Sequence, residues 1–455
     1  MNKKNDFSLG EIRSVMVRTA VPIMIAQTVS LLYNIVDRIY IGHMALESSS
    51  ALSGIGICMP IILLLNGFAN LVGLGGAPLC SIARGRGDLR HAERLMGNSL
   101  TLLLLISITL TVLLSLLLRP LLYAFGASDV SYPYAAGYLR IYALGSVFAM
   151  VSLGMNAFIN AQGFSRMGMV TTLIGAVLNL VLDPIFIFVL GMGVEGAAIA
   201  TVISQFFSAL WVLSFLRSSA AILKLRRADL RLKRGIVASI LKMGISPLMT
   251  NATSSFVQIL ENVQLLHYGG DLYVSAMTVI SSINQLFLTL PQGFAMGTQP
   301  VLGFNYGARK PERLRRGIRF EALLCGGFMF ASTFVLLGIP APLVRLFNSD
   351  ALLLSAAVHS MRLYFACFGF MAFQLVGNSV LQAFGKARLA IVFSLLRKVI
   401  LVTPLALLLP GPLGLGTDGI FAAEAISMII GGPCCFLTMY FTQYRHLDRI
   451  QKTID

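Results

Sequence analysis

Charge is what this 455-residue chain has least of: 19 acidic and 35 basic residues make up only 12% of it. A soluble domain carries about 25% charged residues, so a water-covered globular fold is excluded. Histidine is scarce as well. The five (His43, His91, His267, His359 and His446) are scattered, and no HExxH, no GxSxG and no paired-aspartate diphosphate motif occurs, which leaves nothing for a membrane-embedded enzyme to work with. The six cysteines (Cys58, Cys80, Cys325, Cys367, Cys434 and Cys435) show no CxxC or Cys/His spacing and read as small core residues, not metal ligands or disulfides. The basic N-terminus "MNKKNDFSLGEIRS" is not followed by a short apolar core with a small-residue cleavage site, so the first apolar segment is expected to be a retained span.

What is present is apolar: 56% of the residues are hydrophobic and the mean hydropathy is +0.81. Apolar runs near or past the ~20 residues that cross a bilayer predict twelve helices. They start near residues 15, 51, 95, 135, 168, 194, 238, 274, 317, 355, 389 and 418. Basic residues crowd the N-terminus, "ARGRGDLRHAER", "LRSSAAILKLRRADLRLKR", "ARKPERLRRGIR", "GKAR" and the tail, alternating with poorly charged loops such as "GASDVSYP". By the positive-inside bias both termini are cytoplasmic. The net charge of +16 is juxtamembrane and spread over many loops, which implies anionic lipid as the partner and not nucleic acid.

The chain repeats itself. "MNAFINAQGFSR" (155–166) matches "GNSVLQAFGKAR" (377–388), "NGFANLVGLGGAP" echoes "QGFAMGTQP", and "GVEGAAIATVIS" echoes "GTDGIFAAEAIS", with an offset of 222 to 226 residues throughout. The expected fold class is therefore an all-α polytopic membrane protein of two six-helix bundles. The bundles are parallel repeats related by a pseudo-two-fold axis along the membrane normal, with a substrate site near the midplane. The expected organisation is an N-lobe over 1–216, a basic cytoplasmic linker over 217–236 and a C-lobe over 237–455.

Polar residues inside the spans fall on stripes. Gln27, Ser30, Asn34 and Asp37 share one face of the first segment, and Thr250, Ser254, Gln258 and Glu261 one face of the seventh. Asn156 and Asn160, Asn179 and Asp183, and Gln374, Asn378 and Gln382 stand at i, i+4. Lipid cannot satisfy such faces, so they turn inward, either as helix-packing glue or as the lining of a wet cavity. Four intramembrane acids stand out, Asp37, Asp183, Glu261 and Glu424, because a carboxylate at mid-bilayer costs about 2.5–3.5 kcal/mol. Each must bind a cation, titrate, or pair with a base. Arg397 and Lys398 supply bases in the second half, and Arg397 is expected to pair with Glu261 or Glu424. Arg38, beside Asp37 but rotated about 100° from it, is expected to snorkel outward, leaving Asp37 and Asp183 for a cation.

"VPIMIAQTVSLLYNIVDRIYIGHM", "LNLVLDPIFIF", "GVEGAAIAT" and "QAFGKAR" together resemble the multidrug and toxic compound extrusion (MATE) transporters, in particular the bacterial and archaeal branch with an Asp-Pro in the fifth helix. The resemblance covers essentially the whole chain. It implies two lobes around a V-shaped cavity in a monomer of a prokaryotic plasma membrane. The activity it implies is alternating-access export of drugs or metabolites, often cationic and lipophilic, against inward H⁺ or Na⁺, with no cofactor. It places the cation site at Asp37, Asn179, Asp183 and Thr201 and the helix-1 bend at Pro22. The polar residues Gln27, Asn34, Asn156, Asn160, Gln258, Gln374 and Asn378 are the expected substrate-cavity lining, and Glu261, Arg397 and Glu424 a C-lobe charge cluster. Arg38 beside the coupling acid and Glu424 at the repeat counterpart of Thr201 depart from the family pattern. The rival reading is a lipid-linked saccharide flippase of the same superfamily.

Overall fold

The computed structural model describes residues 6–42, 48–125, 127, 129, 131–347 and 351–450; within these, the side chains of 34–42, 48–53, 271, 387 and 449–450 are not described. The described residues form helices joined by short loops, with no strand among them. The first six spans are α1 (Ile12–Gly42), α2 (Ser48–Gly85), α3 (Leu89–Leu116), α4 (Tyr132–Ala161), α5 (Ser165–Pro184, continued by a wide turn over Ile185–Val189) and α6 (Gly193–Arg217). One long element, Arg234–Gly307, is broken at Gly270, whose φ of 68° is left-handed, and so makes two spans, α7 (234–269) and α8 (271–307). The remaining spans are α9 (Pro311–Gly338), the bent α10 (Ala351–Phe365 with Met371–Ala383), α11 (Ala387–Leu395 through Thr403–Leu408) and α12 (Gly416–Thr442).

Among the described residues ten helices are individually long and apolar enough to cross a membrane, or eleven when the two halves of α10 count as one span. The twelfth, α7, misses that mark because its polar stripe from Thr250 to Glu261 dilutes it. The helices begin a few residues before the predicted starts, since polar caps and prolines initiate them: the Asp88 carboxylate accepts from His91 N at 2.9 Å to cap α3, and Pro311 opens α9. The repeat is visible in the backbone. α3 and α9 have the same length, 28 residues, and the turns after α4 and α10 both use a left-handed glycine, Gly163 (φ 89°) and Gly385 (φ 74°).

Two compact units divide the chain, but not at the expected boundaries. One comprises residues 1–7 and 25–244, the other 8–24 and 245–455. The segment expected to be a free linker belongs to the first unit because its backbone is fastened there. Gln162 Oε1 accepts from Leu223 N at 2.8 Å, Asn98 Oδ1 accepts from Lys233 N at 2.7 Å, and Thr101 donates to Leu230 O at 2.7 Å. In the second unit the start of α1 is held by Arg313, which donates to Gly10 O at 2.6 Å. It also packs so closely on α8 that a Cβ on Gly297 would lie 2.4 Å from Ala20 Cα. In the first unit the start of α7 lies equally close to α2: a Cβ on Gly244 would meet Leu71 O at 1.7 Å, and one on Gly75, the repeat partner of Gly297, would meet Ile240 O at 2.4 Å. Small residues of this kind are how helices approach one another where no water drives them together.

The Gly244 contact is with backbone, which cannot rotate aside. Gly244→Ala is expected to cost about 1–3 kcal/mol of overpacking, read as a lower melting temperature in detergent. Gly56→Ala, where a Cβ meets nothing within 4 Å, is expected to melt at or above the wild type.

Candidate functional site

In the first unit a polar cavity of about 250 Å³ opens among α1, α2, α4, α5 and α6. Its inner wall holds Asn179 and Thr201, with Asp183 immediately behind. Pro184 has no N–H to give the turn below it, and the chain widens into i→i+5 bonding, Leu190 N to Ile185 O at 2.9 Å. Asp183 immediately precedes that proline at the end of the regular helix. Asn179 Nδ2 donates to Asp183 Oδ1 at 2.9 Å and lies 3.4 Å from Thr201 Oγ1, whose own hydrogen goes to Ala197 O at 2.9 Å. All three are buried, at 2%, 1% and 9% exposure. Asn179 Oδ1 has no partner. The Asp183 carboxylate and the Thr201 hydroxyl meet on the amide nitrogen of Asn179, and such oxygen groups are hard donors, suited to Na⁺ or a proton and to no soft metal. Among the described residues no group of three His, Cys, Asp or Glu could hold a metal ion.

Three of the four expected coupling residues are thus together. The fourth, Asp37, and its neighbours Asn34 and Arg38 lie in α1 with side chains outside the described residues. Pro22 is buried in α1, two residues before the point at which that helix passes from one unit to the other. Ser30, Tyr33 and Asn156 line the cavity, but Gln27 and Asn160 do not. Asn160 corrects the expectation in physical terms: it packs over Gly168 of α5, where an added Cβ would sit 2.2 Å from Asn160 Oδ1, while Asn156 Nδ2 donates to Gly168 O at 3.1 Å. This pair binds helix to helix. Missed beforehand were Tyr138 and Tyr142, stacked one turn apart with centroids at 6.0 Å, and Ser204 and Ser208, which continue the Thr201 stripe. Their i, i+4 spacing was the available signal.

The second unit holds its own cavity of about 470 Å³, and it is charged. Gln258, Gln374 and Asn378 line it as expected, together with Glu261, Arg397, Lys398 and Glu424. Arg397 pairs with Glu424, Nη1 to Oε2 at 3.6 Å, and Lys398 reaches the other oxygen at 2.5 Å. Adjacent residues of a regular helix point about 100° apart; here residues 396–402 form a wide i→i+5 turn, in which Thr403 donates to Lys398 O, and both bases reach one carboxylate. Glu261 also lines the cavity, its Oε1 without a partner.

Glu424 is 1% exposed, so its two cations hold it in place. The double variant Arg397→Met/Lys398→Met leaves a buried, uncompensated charge and is expected to lose about 3–5 kcal/mol. Adding Glu424→Gln to that variant is expected to restore most of the loss. Thermal melts in detergent measure both, and a double variant that melts like the wild type would show the cluster to be irrelevant to stability.

Comparison with known proteins follows the same outline. The multidrug export protein MepA of Staphylococcus aureus is 24% identical over 454 residues, covering 99% of this chain and 97% of that protein. MepA of Staphylococcus saprophyticus is 22% identical over 442 residues, covering 97% and 95%. Among solved structures, an outward-facing multidrug resistance MATE family transporter of the MOP superfamily superposes with a TM-score of 0.91 at 22% identity, covering all of both chains. A MOP superfamily transporter from Pyrococcus furiosus, described as having a binding pocket of reverse polarity that suggests a different function, also gives 0.91 at 22% identity, covering 98% of this chain and 99% of that one. The MatE family model matches residues 22–185 and again 247–408, one match to each half of the repeat. With both halves matched, the chain belongs to the MatE family.

Proposed function

We propose that this multi-pass membrane protein is a secondary active multidrug exporter, not an enzyme, that drives small, often cationic and lipophilic compounds outward in exchange for inward H⁺ or Na⁺. The observation that carries the reading is the Asn179–Asp183–Thr201 cluster: a buried acid with an amide and a hydroxyl at the wall of a polar cavity, in a chain of the MatE family. The family resemblance adds Asp37 of α1 to the coupling residues. A cation or proton that binds this cluster in one conformation better than in the other biases the equilibrium between them, which is all that coupling requires. No cofactor takes part, and the protein works as a monomer in a prokaryotic plasma membrane with both termini cytoplasmic. The MepA relatives are named as multidrug export proteins, which agrees with this reading. The flippase alternative wants cationic side chains for a diphosphate, and the two bases of the second cavity are both engaged by Glu424.

The test is export of a fluorescent cationic dye from proteoliposomes with pH and Na⁺ gradients imposed separately. Asp37→Asn and Asp183→Asn are each expected to abolish gradient-driven export at equal incorporation and unchanged melting temperature. Thr201→Ala removes one neutral ligand and is expected to weaken the coupling ion about five- to tenfold, the equivalent of roughly 1–1.4 kcal/mol. Wild-type export by either acid variant would remove the coupling assignment.

A further inference from the structure

A fifth intramembrane acid lies apart from both cavities. Glu321 sits on α9, ten residues past Pro311 or roughly 15 Å along the helix axis. It is 0% exposed, and neither of its carboxyl oxygens has a hydrogen-bond partner. The hydroxyls of Thr298 and Ser379 adjoin it. Both give their hydrogens elsewhere, to the single carbonyl oxygen of Ala295, Thr298 at 2.9 Å and Ser379 at 3.3 Å. Each hydroxyl has only one hydrogen, and by turning from Ala295 O either can give it to Glu321 instead. A carboxyl sealed from solvent with no base paired to it holds its proton, because a charge there has neither water nor a counter-ion.

No base offsets it. On its own helix Arg315 pairs with Glu312 and Asp448, Arg316 lies further along the basic turn, Arg319 donates to Tyr444, and Cys325 is a turn beyond. From α1, Glu11 and Arg18 are exposed and Arg13 lies over the ring of Phe320. Residues 288–302 of α8 and 368–383 of α10 carry no acid, base, tyrosine or cysteine. On the rest of α10, His359 pairs with Asp418, Arg362 is exposed, and Tyr364 faces the cavity of Glu261.

The fold does not require a carboxyl here. At the 222-residue repeat offset the first unit places Gly76, Ser99 and Ala157 where the second places Thr298, Glu321 and Ser379. Three small residues on one side thus correspond to an acid flanked by two hydroxyls on the other. Packing alone is met by the small set, with Ser99 also 0% exposed.

We propose that Glu321, with Thr298 and Ser379, is a second proton site, loaded in this conformation and unloaded when water reaches it during the transport cycle. The carboxyl O–H bond breaks, the proton passes to water, and the two hydroxyls turn from Ala295 O to donate to the new carboxylate. The inference rests on the proposed export cycle and adds to its stoichiometry. Glu424, already held by two bases, is not available for this role, and Glu261 opens to a cavity in the field of the same bases.

The experiment has a spectroscopic and a transport arm. In purified protein at neutral pH, the infrared carbonyl band of a protonated carboxylic acid is expected in the wild type and in Asp183→Asn, reduced by one group in Glu321→Gln. In proteoliposomes with the coupling-ion gradients clamped, a valinomycin-imposed potential is expected to drive wild-type export of a singly charged dye, because two protons then exchange for one charge. Glu321→Gln, and independently Thr298→Val/Ser379→Ala, are expected to lose that response. The double hydroxyl variant keeps the acid, so the proposal stays testable if Glu321→Gln fails to fold. Identical infrared spectra for wild type and Glu321→Gln would overturn the proposal, as would a wild-type response to potential in either variant. Failure of the wild type to export any dye on any gradient would overturn the export reading instead, with the infrared result still reporting on Glu321.

Discussion

The structure depends on the absence of water from the bilayer interior. A polar group there finds a partner within the protein or remains unsatisfied at a cost of several kcal/mol, and almost every feature with a possible role is a response to that rule. Asn156 is satisfied by the backbone of Gly168, Thr201 by Ala197 O, Thr250 by Ser394 at 2.9 Å, and Glu424 by two cations. Buried side-chain atoms without a hydrogen-bond partner occur in both units among the described residues, and they include Asn179 Oδ1, Gln374 Oε1, Asn378 Oδ1, Glu261 Oε1 and both oxygens of Glu321. Asn179 and Glu261 line cavities, whereas Glu321 is sealed.

The halves share a backbone plan and differ in what they bury. In the first unit the acid is accompanied by neutral donors, and the cavity in front of it is lined by amides, hydroxyls and tyrosines. In the second, two acids and two bases line the cavity, an arrangement whose desolvation cost is recovered only if the pairing geometry is kept. A duplicated scaffold thus carries an acid among neutral partners in one unit and a cluster held by its own counter-ions in the other. Glu321 lies outside that cluster, at a buried site whose counterpart in the first unit is built from three small residues.

Much of this was legible in the chain. The twelve spans, the offset of the repeat, and the pairing of Asn179 with Asp183 followed from hydropathy and from i, i+4 spacing, both local properties, while Thr201 joined them only through the family resemblance. Asn160 looked identical to Asn156 by spacing, and both meet Gly168, but only Asn156 also lines the cavity, a distinction made by the packing of the helices and not by the stripe. Glu321 went uncounted among the intramembrane acids because it follows Arg319 so closely that it reads as the end of a cytoplasmic basic turn; only its burial separates it from that turn. The unit boundaries were missed for the same reason. Nothing in the composition of residues 8–24 or 217–244 reveals that Gly297, Arg313, Gln162 and Asn98, far away in sequence, hold them.

The division of α1 between units bears on the order in which the molecule can be built. Residues 8–24 are made before the rest of their unit, and the glycines and Arg313 that receive them follow about 270 to 310 residues later. At roughly 5–20 residues per second, the start of the first span waits on the order of half a minute for its docking surface. Conversely, residues 234–244 emerge after the rest of the first unit and close it. Neither half-chain, cut at the connecting segment, contains all of its own unit. Biogenesis is therefore a single reciprocal assembly in the membrane, and not the successive completion of two bundles.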